Sequence, residues 1–233
     1  MKLLLLGDLH GELKENRARF KQLLELNKQK VDFIIQAGDL GFYESLPISS
    51  YFIFGNNEDF DVIQAMLNGE VEYENLKLIK SGETINLRKG SDSLMLSGLC
   101  GNYAPKYFNL KREELSGDRR RHFVAEEVQR CLSLSNIDFF LAHEAPLGLI
   151  RRRGYDVGVR HITNILKIVK PRYLFSGHHH EFAYRRIEES ECYSLAPATE
   201  EYLIYDSKSD GVKKYDINGR EIALQRQTKL SYF

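Results

Sequence analysis

Five apolar runs in this chain each end in a small polar block, and that repeated junction restricts the possible folds more than any other feature. Lys2–Leu6 runs into Gly7-Asp8-Leu9-His10, Asp32–Ala37 into Gly38-Asp39, and Ser50–Phe54 into Gly55-Asn56-Asn57-Glu58. Ile137–Ala142 delivers a single His143, and Arg172–Ser176 delivers Gly177-His178-His179-His180. A short continuous apolar run closed by glycine and a polar residue reads as a strand buried on both faces, the habit of parallel sheets. Segments with helical spacing lie among them. Residues of about 12–28 carry Leu13, Phe20, Leu23 and Leu24 on one face, and about 59–68, 119–133 and 158–169 also read as helices. Strand–helix alternation implies crossover connections and parallel pairing.

The middle of the chain changes character. Leu76–Ile79, Thr84–Leu87 and Leu94–Gly98 are short strand-like pieces between Gly- and Ser-containing turns, which reads as an antiparallel meander. A polar loop of about 101–118 follows, and the tail offers strands at about 182–187, 192–196 and 202–206. No repeat, linker or low-complexity segment interrupts the 233 residues, so the expectation is one α/β domain over 1–233. The two strand-rich halves are expected to form two packed sheets with helices outside.

Open parallel sheets bind ligands beyond the carboxyl ends of their strands. Every polar block follows a strand, so folding should gather Asp8, His10, Asp39, Asn56, His143, His178 and His180 at one rim. That set is nearly complete for two divalent cations. Two dications about 3.5–4 Å apart repel by roughly 5 kcal/mol even at the dielectric of water, so they need a shared anion. Asp39 is the natural bridge. If Gly177–His180 is extended, His178 and His180 point one way and His179 the other. Mixed oxygen and imidazole donors suit Mn, Fe, Co, Ni or Zn better than Mg or Ca, and the lack of a thiolate argues against a structural zinc. Manganese is the first choice. Such a pair lowers the pKa of a shared water from 15.7 toward about 7 and neutralises charge on a phosphoryl oxygen.

Composition narrows the partners. Lys plus Arg and Asp plus Glu are both 33, so the whole molecule offers no general attraction to nucleic acid or anionic membrane, and any such attraction must be local. Leu3–Leu6 is too short for a signal-peptide core, and no apolar stretch approaches a membrane span. Cys100, Cys131 and Cys192 are odd in number and isolated, which reads as reduced buried thiols and, by default, the cytoplasm.

The five blocks, in this order, resemble the calcineurin-like metallophosphoesterase superfamily, whose pattern is Gly-Asp-x-His, Gly-Asp, Gly-Asn-His-Asp/Glu, a lone His and Gly-His-x-His. The resemblance covers Gly7 to His180 and implies a four-layer αββα sandwich, two mixed sheets flanked by helices. It implies that Asp8, His10, Asp39 and His180 hold one ion and Asp39, Asn56, His143 and His178 the other. The opening Gly-Asp-Leu-His-Gly-Glu-Leu and the Gly-Asn-x-Glu block are also similar to lariat-debranching members over roughly the first 60 residues.

Two positions depart from the pattern. Phe42 stands where a second Asp often follows the bridge, and Asn57 replaces the motif histidine that protonates the leaving group or stabilises the phosphoryl charge. General acid catalysis is typically worth 10²–10⁴-fold, roughly 3–5 kcal/mol of barrier. An amide donates a hydrogen bond but cannot serve as that acid. Substrates with good leaving groups, substitution by another histidine such as His179, or slow turnover each accommodate the change. The catalytic set is therefore Asp39, Asn57 and His179. The expected activity is phosphodiester hydrolysis by a metal-bridging hydroxide; a phosphomonoesterase and a metal-binding scaffold are the alternatives.

Arg119–Arg121 and Arg151–Arg153 are the concentrated positive patches. Each triplet reads either as a solvated face or loop or as a contact for substrate phosphates, and Arg151, Arg152 and Arg153, which follow His143, are the better placed for the second role, with nucleic acid as the candidate partner. Tyr103, Tyr107 and Phe108 either stack on a base or pack beneath their own loop, and Glu58 either bonds near the ligands or favours the start of a helix. His122 and His161 read as structural or solvated.

Overall fold

The structure is a computed structural model and describes residues 1–224. The first buried runs form β1 (Lys2–Leu6), β2 (Phe33–Gln36), β3 (Ser50–Phe52) and β4 (Leu76–Leu78), all paired in parallel. Two helices make the crossovers. In α1 (Lys14–Asn27), Phe20, Leu23 and Leu24 are buried one turn apart as read from the sequence, but Leu13 is exposed, because it stands at the N-cap before the helix begins. In α2 (Phe60–Asn68), the Asp59 carboxylate caps the N-terminus by accepting from the amides of Asp61 and Val62, and Gly69 closes the C-terminus at φ 74°.

The second sheet begins with the hairpin β5 (Thr84–Lys89) and β6 (Asp92–Leu99) and continues through β7 (Phe139–Ala142) and β10 (Tyr173–Ser176). Between β7 and β10 lie the ribbon β8 (Arg151–Arg152) and β9 (Tyr155–Asp156), then α4 (Arg160–Val169). β6, β7 and β10 are parallel neighbours, β12 (Ser190–Ser194) extends them in parallel, and β11 (Ala183–Ile187) closes the edge antiparallel.

Period-two alternation shows how the layers stack. Phe139 and Leu141 of β7 face the core shared with β1 and β2, while Phe140 and Ala142 face Ile162, Ile165 and Leu166 of α4 and Val128 and Cys131 of α3 (Ala125–Leu132). The helices outside and the sheets within make the expected αββα sandwich.

Three expectations need correction. The meander does not form: β4 joins the first sheet parallel to β3 because α2 returns the chain in the same direction, and only β5–β6 is antiparallel. The two sheets are not the two halves of the chain, since β13 (Glu201–Asp206) returns to pair antiparallel with β1. Beyond it, β14 (Gly211–Asp216) and β15 (Glu221–Ile222) widen the first sheet, and neither was read from the sequence. The helix over 119–133 divides into a 3-10 turn at Gly117–Arg121 and α3, because the chain between them is extended, with Asn102 bridged to His122 and the Val124 backbone in the β region.

Candidate metal centre

The five polar blocks leave the carboxyl ends of β1, β2, β3, β7 and β10, so the sites meet where the rims of the two sheets adjoin. Asp8, Asp39 and His143 are all but fully buried, and their ligand atoms lie within 4.8 Å of one another. A second group, Asp8, His10 and His180, satisfies the same limit. His180 Nε2 lies 2.8 Å from Asp8 Oδ2, and His10 Nε2 lies 3.1 Å from His180 Nε2. Asp39 Oδ1 is 3.4 Å from His143 Nε2, and its Oδ2 is 4.0 Å from His10 Nε2. The Asn56 side-chain oxygen is 3.0 Å from His143 Nε2. His178 joins through its ring, 5.0 Å from that of His143 between centroids, while its backbone amide donates to both Asp8 oxygens at 2.9 and 3.1 Å. Six of the seven ligand candidates therefore meet through donor atoms, and the seventh sits beside them.

The backbone that does this is unusual. His10 (φ 50°), Asp39 (φ 57°), His178 (φ 68°) and His180 (φ 52°) all occupy the left-handed region. Such conformations cost of order 1–3 kcal/mol each and persist only where surrounding contacts over-determine them. The Gly177–His180 segment is thus not extended, and simple alternation is not why His178 and His180 reach the rim. Glycine leaves room where side chains would collide. A Cβ on Gly55 would lie 2.2 Å from Asp39 Oδ1 and 2.6 Å from His143 Cε1.

Electrostatics match a cation cradle. Burial alone would lower the pKa of His143, but the adjoining Asp39 carboxylate outweighs it and carries the value up to about 10. Burial would raise that of Asp39, yet hydrogen bonds from His143 and Asn57 hold it well below the usual carboxylate range. The Asp8 hydrogen bond likewise raises His180. In the metal-free protein, protons on these imidazoles therefore stand where positive charge is favoured. His143 Nδ1 donates to the Ala37 carbonyl at 2.9 Å, which directs Nε2 toward Asn56 and Asp39. Once that nitrogen is deprotonated it becomes a donor, aimed at the same point as a carboxylate and an amide oxygen. These residues fit two divalent ions.

Asn57 is exposed, but its side chain is committed. Its backbone amide donates to Asp39 Oδ1 and its side-chain Nδ2 donates to Oδ2, each at 2.7 Å. His179 is buried, its Nε2 has no hydrogen-bond partner, and burial lowers its pKa to about 4. The ring is therefore neutral near neutral pH. Its carbonyl accepts a hydrogen bond from Arg152.

Further groups hold the loops. Glu58 accepts from the amides of Leu40 and Gly41 at 3.0 and 2.9 Å and from the Tyr43 hydroxyl at 2.5 Å, so it bonds near the ligands, one of the two roles considered for it. Gln36 ties the Gly7 carbonyl to the Gly38 amide, and the Asn16 side chain donates to the carbonyls of Leu9 and His10. Neither was read as functional. A polar residue near the end of an apolar strand, as Gln36 is, was the available signal. The loop aromatics are packed rather than presented: Tyr103 stacks on Phe123, Phe108 on His161 and Tyr107 on His122. Arg120 pairs with Asp61 at 2.6 Å and Arg121 with Asp118 at 3.3 Å. A cleft of about 530 Å³ borders the centre, lined by Arg17, Asn56, Asn57, Phe60 and Arg121 among others. The three cysteines are buried and unpaired with one another, and no helix among the described residues is long and apolar enough to cross a membrane.

Comparison with known proteins agrees with this geometry. The chain is 24% identical over 231 residues to a lariat debranching enzyme of Entamoeba histolytica, a match covering 76% of this chain and 63% of that protein. It is 22% identical to the lariat debranching enzyme of Arabidopsis thaliana, covering 77% of this chain and 54% of that one. The matched region thus spans about half to two thirds of these relatives. Among solved structures, TT1561 of Thermus thermophilus superimposes with a TM-score of 0.66 at 12% identity, covering 93% of this chain and 98% of that one. GAP50, the anchor in the inner membrane complex of Plasmodium, gives 0.59 at 12% identity, covering 98% and 90%. At such identities the superpositions speak for the fold alone. Residues 1–182 match the calcineurin-like phosphoesterase family, which contains every candidate ligand, and the chain belongs to that family.

Proposed function

We infer that this chain is a dinuclear-metal phosphodiesterase in which Asp39 would be a ligand common to both ions. The observation that supports this most is the meeting of two ligand groups at one rim, Asp8 with Asp39 and His143, and Asp8 with His10 and His180, with Asn56 on His143 and His178 beside them. In this reading Asp8, His10, Asp39 and His180 hold one ion, and Asp39, Asn56, His143 and His178 the other, with manganese first and iron, zinc, nickel or cobalt as alternatives. When bound, the ions supply Lewis acidity toward the phosphoryl group and a water of lowered pKa.

The remaining work falls to the chain itself. Asn57 fixes both oxygens of Asp39, so the shared carboxylate stays in one orientation and costs little reorganisation. Because that amide is committed and His179 is buried and neutral, neither side chain is a strong proton donor for a departing alkoxide. The chemistry then favours esters whose leaving group needs little protonation. The cleft beside Asn57 gives a second ester substituent somewhere to lie, which favours a diester over a monoester. The resemblance to lariat debranching enzymes agrees with this choice.

The test compares turnover of bis(4-nitrophenyl) phosphate and 4-nitrophenyl phosphate by protein loaded with Mn²⁺. A higher kcat/KM for the diester is expected. Preference for the monoester would replace this reading with a phosphatase, and turnover of neither would leave a metal-binding scaffold.

A further inference from the structure

The β8–β9 ribbon is not used by the chemistry above. Arg153 (φ 50°) and Gly154 (φ 83°) are both left-handed, as a two-residue turn of type I′ requires, so the hairpin is tightly closed. Its base is fixed. The Asp156 carboxylate accepts from the amides of Gly148 and Gly158 at 2.7 and 2.9 Å, and Arg185 donates to the Gly148 carbonyl at 2.9 Å.

The register decides which face matters. Arg152 and Tyr155 are direct partners across the ribbon, and residues directly opposite in an antiparallel pair project from the same face. Arg152 reaches the His179 carbonyl, between two candidate ligands, so the face that carries Tyr155 is the one turned toward the metal centre. Tyr155 is nevertheless 77% exposed, the most exposed of the large apolar and aromatic side chains that lie open to solvent among the described residues. An aromatic ring on a rigid hairpin, with Arg152 on the same face and Arg153 in the adjoining turn, combines a flat stacking surface with charge complementary to phosphates.

We propose that the β8–β9 ribbon is a binding platform for single-stranded nucleic acid, with Tyr155 stacking on a base next to the phosphodiester held at the metal centre and the ribbon arginines following the backbone. This rests on the diesterase reading for the chemistry, but not for the binding. Tyr155 supplies the π-face, which every base can use, so recognition tolerates sequence. The local arginines also provide a positive patch on a chain whose formal net charge is zero.

The experiment measures binding without turnover, by fluorescence anisotropy of a short single-stranded oligonucleotide with a hydrolysis-resistant phosphorothioate backbone and the protein in Mn²⁺, in RNA and DNA forms. Tyr155→Ala should raise Kd about 5- to 150-fold, the range for loss of one aromatic–base stack, while Tyr155→Phe should stay within about twofold. An oligomer of the same length without bases should lose the distinction between the Ala and Phe variants. Arg153→Gln should flatten the dependence of log Kd on log salt by about 0.7, one phosphate contact on a single strand. Equal affinity of the Ala variant and the intact protein for the base-bearing oligomer would overturn the proposal, as would no binding by the intact protein at low salt. The two readings separate cleanly. A Kd shift without turnover of bis(4-nitrophenyl) phosphate supports the platform and removes the diesterase; turnover without a Kd shift does the reverse.

Discussion

Gly55→Ala should cost this protein its metal centre more than its fold. The new methyl would lie 2.2 Å from Asp39 Oδ1, 2.6 Å from the Asp39 backbone nitrogen and 2.6 Å from His143 Cε1. Ordinary contact begins near 3.4 Å, so the nearest atom must retreat by 3.4 − 2.2 = 1.2 Å. Two of the three obstacles are immobile. One is backbone, and the His143 ring is held by the Ala37 carbonyl. Overpacking of this kind costs typically 1–3 kcal/mol, against total stabilities of about 5–15 kcal/mol, so the chain still folds. For a chain of this length that is a loss of roughly 2–12 °C in Tm. The ligands fare worse, because a displacement of about 1 Å is enough to cost on the order of 10²-fold in catalysis. Calorimetric titration with Mn²⁺ and diester turnover, read beside Tm, are the assays. Gly211→Ala is the control, since its nearest neighbour would be 3.5 Å away. Wild-type metal affinity and turnover in Gly55→Ala would refute the close-approach argument.

Other outcomes follow from the same geometry. His143 is raised from 6.5 to about 10, so the stability it gives the metal-free protein is fully present below pH 6.5 and lost as pH rises through 10. Metal must displace that proton, so Mn²⁺ binding at pH 7.5 should release at least about one proton, visible as a binding enthalpy that changes with the ionisation enthalpy of the buffer. Asn57→Ala removes the side-chain hydrogen bond to Asp39 Oδ2, keeps the one from its backbone amide, and should weaken metal binding by about 10-fold in a competition titration. Asn57→His should raise turnover of esters with poor leaving groups more than of nitrophenyl esters, read as the ratio of the two kcat/KM values. Burial pushes the thiols of Cys100, Cys131 and Cys192 from 9.0 to about 12, so they should resist thiol reagents in the native state at pH 8. The stability they contribute by staying neutral is fully present below pH 9 and fades toward 12, which a series of Tm values at alkaline pH would trace.

Much of this was legible in the sequence because strand ends and ligands coincide. Lys2–Leu6 and Asp32–Ala37 are apolar enough to announce buried strands, and the Gly-Asp after each marks where the chain surfaces at the rim. Helix α4 was equally plain, with Ile162, Ile165, Leu166 and Val169 buried one turn apart. What stayed hidden depended on partners distant in sequence. β14 carries Lys213 and Lys214 in its centre and gains its place only from register with β13. The left-handed backbones of Asp39 and His178 leave no trace in composition. The engagement of Asn57 with Asp39 was hidden because an amide in that motif position says only what it cannot do. Tyr155 was overlooked because an aromatic after Arg-Gly reads as an ordinary loop residue until its cross-strand partner is known.

The location of the candidate ligands has a mechanical consequence. Asp8, His10, Asp39 and Asn56 hang from one sheet, and His143, His178 and His180 from the other. Ions seated among them would rivet the two halves of the sandwich together, closing chain loops of more than a hundred residues, such as that from Asp39 to His143. Chelation would then loosen the seam first, and sliding of one sheet against the other, rather than fraying of either, would be the earliest step of unfolding.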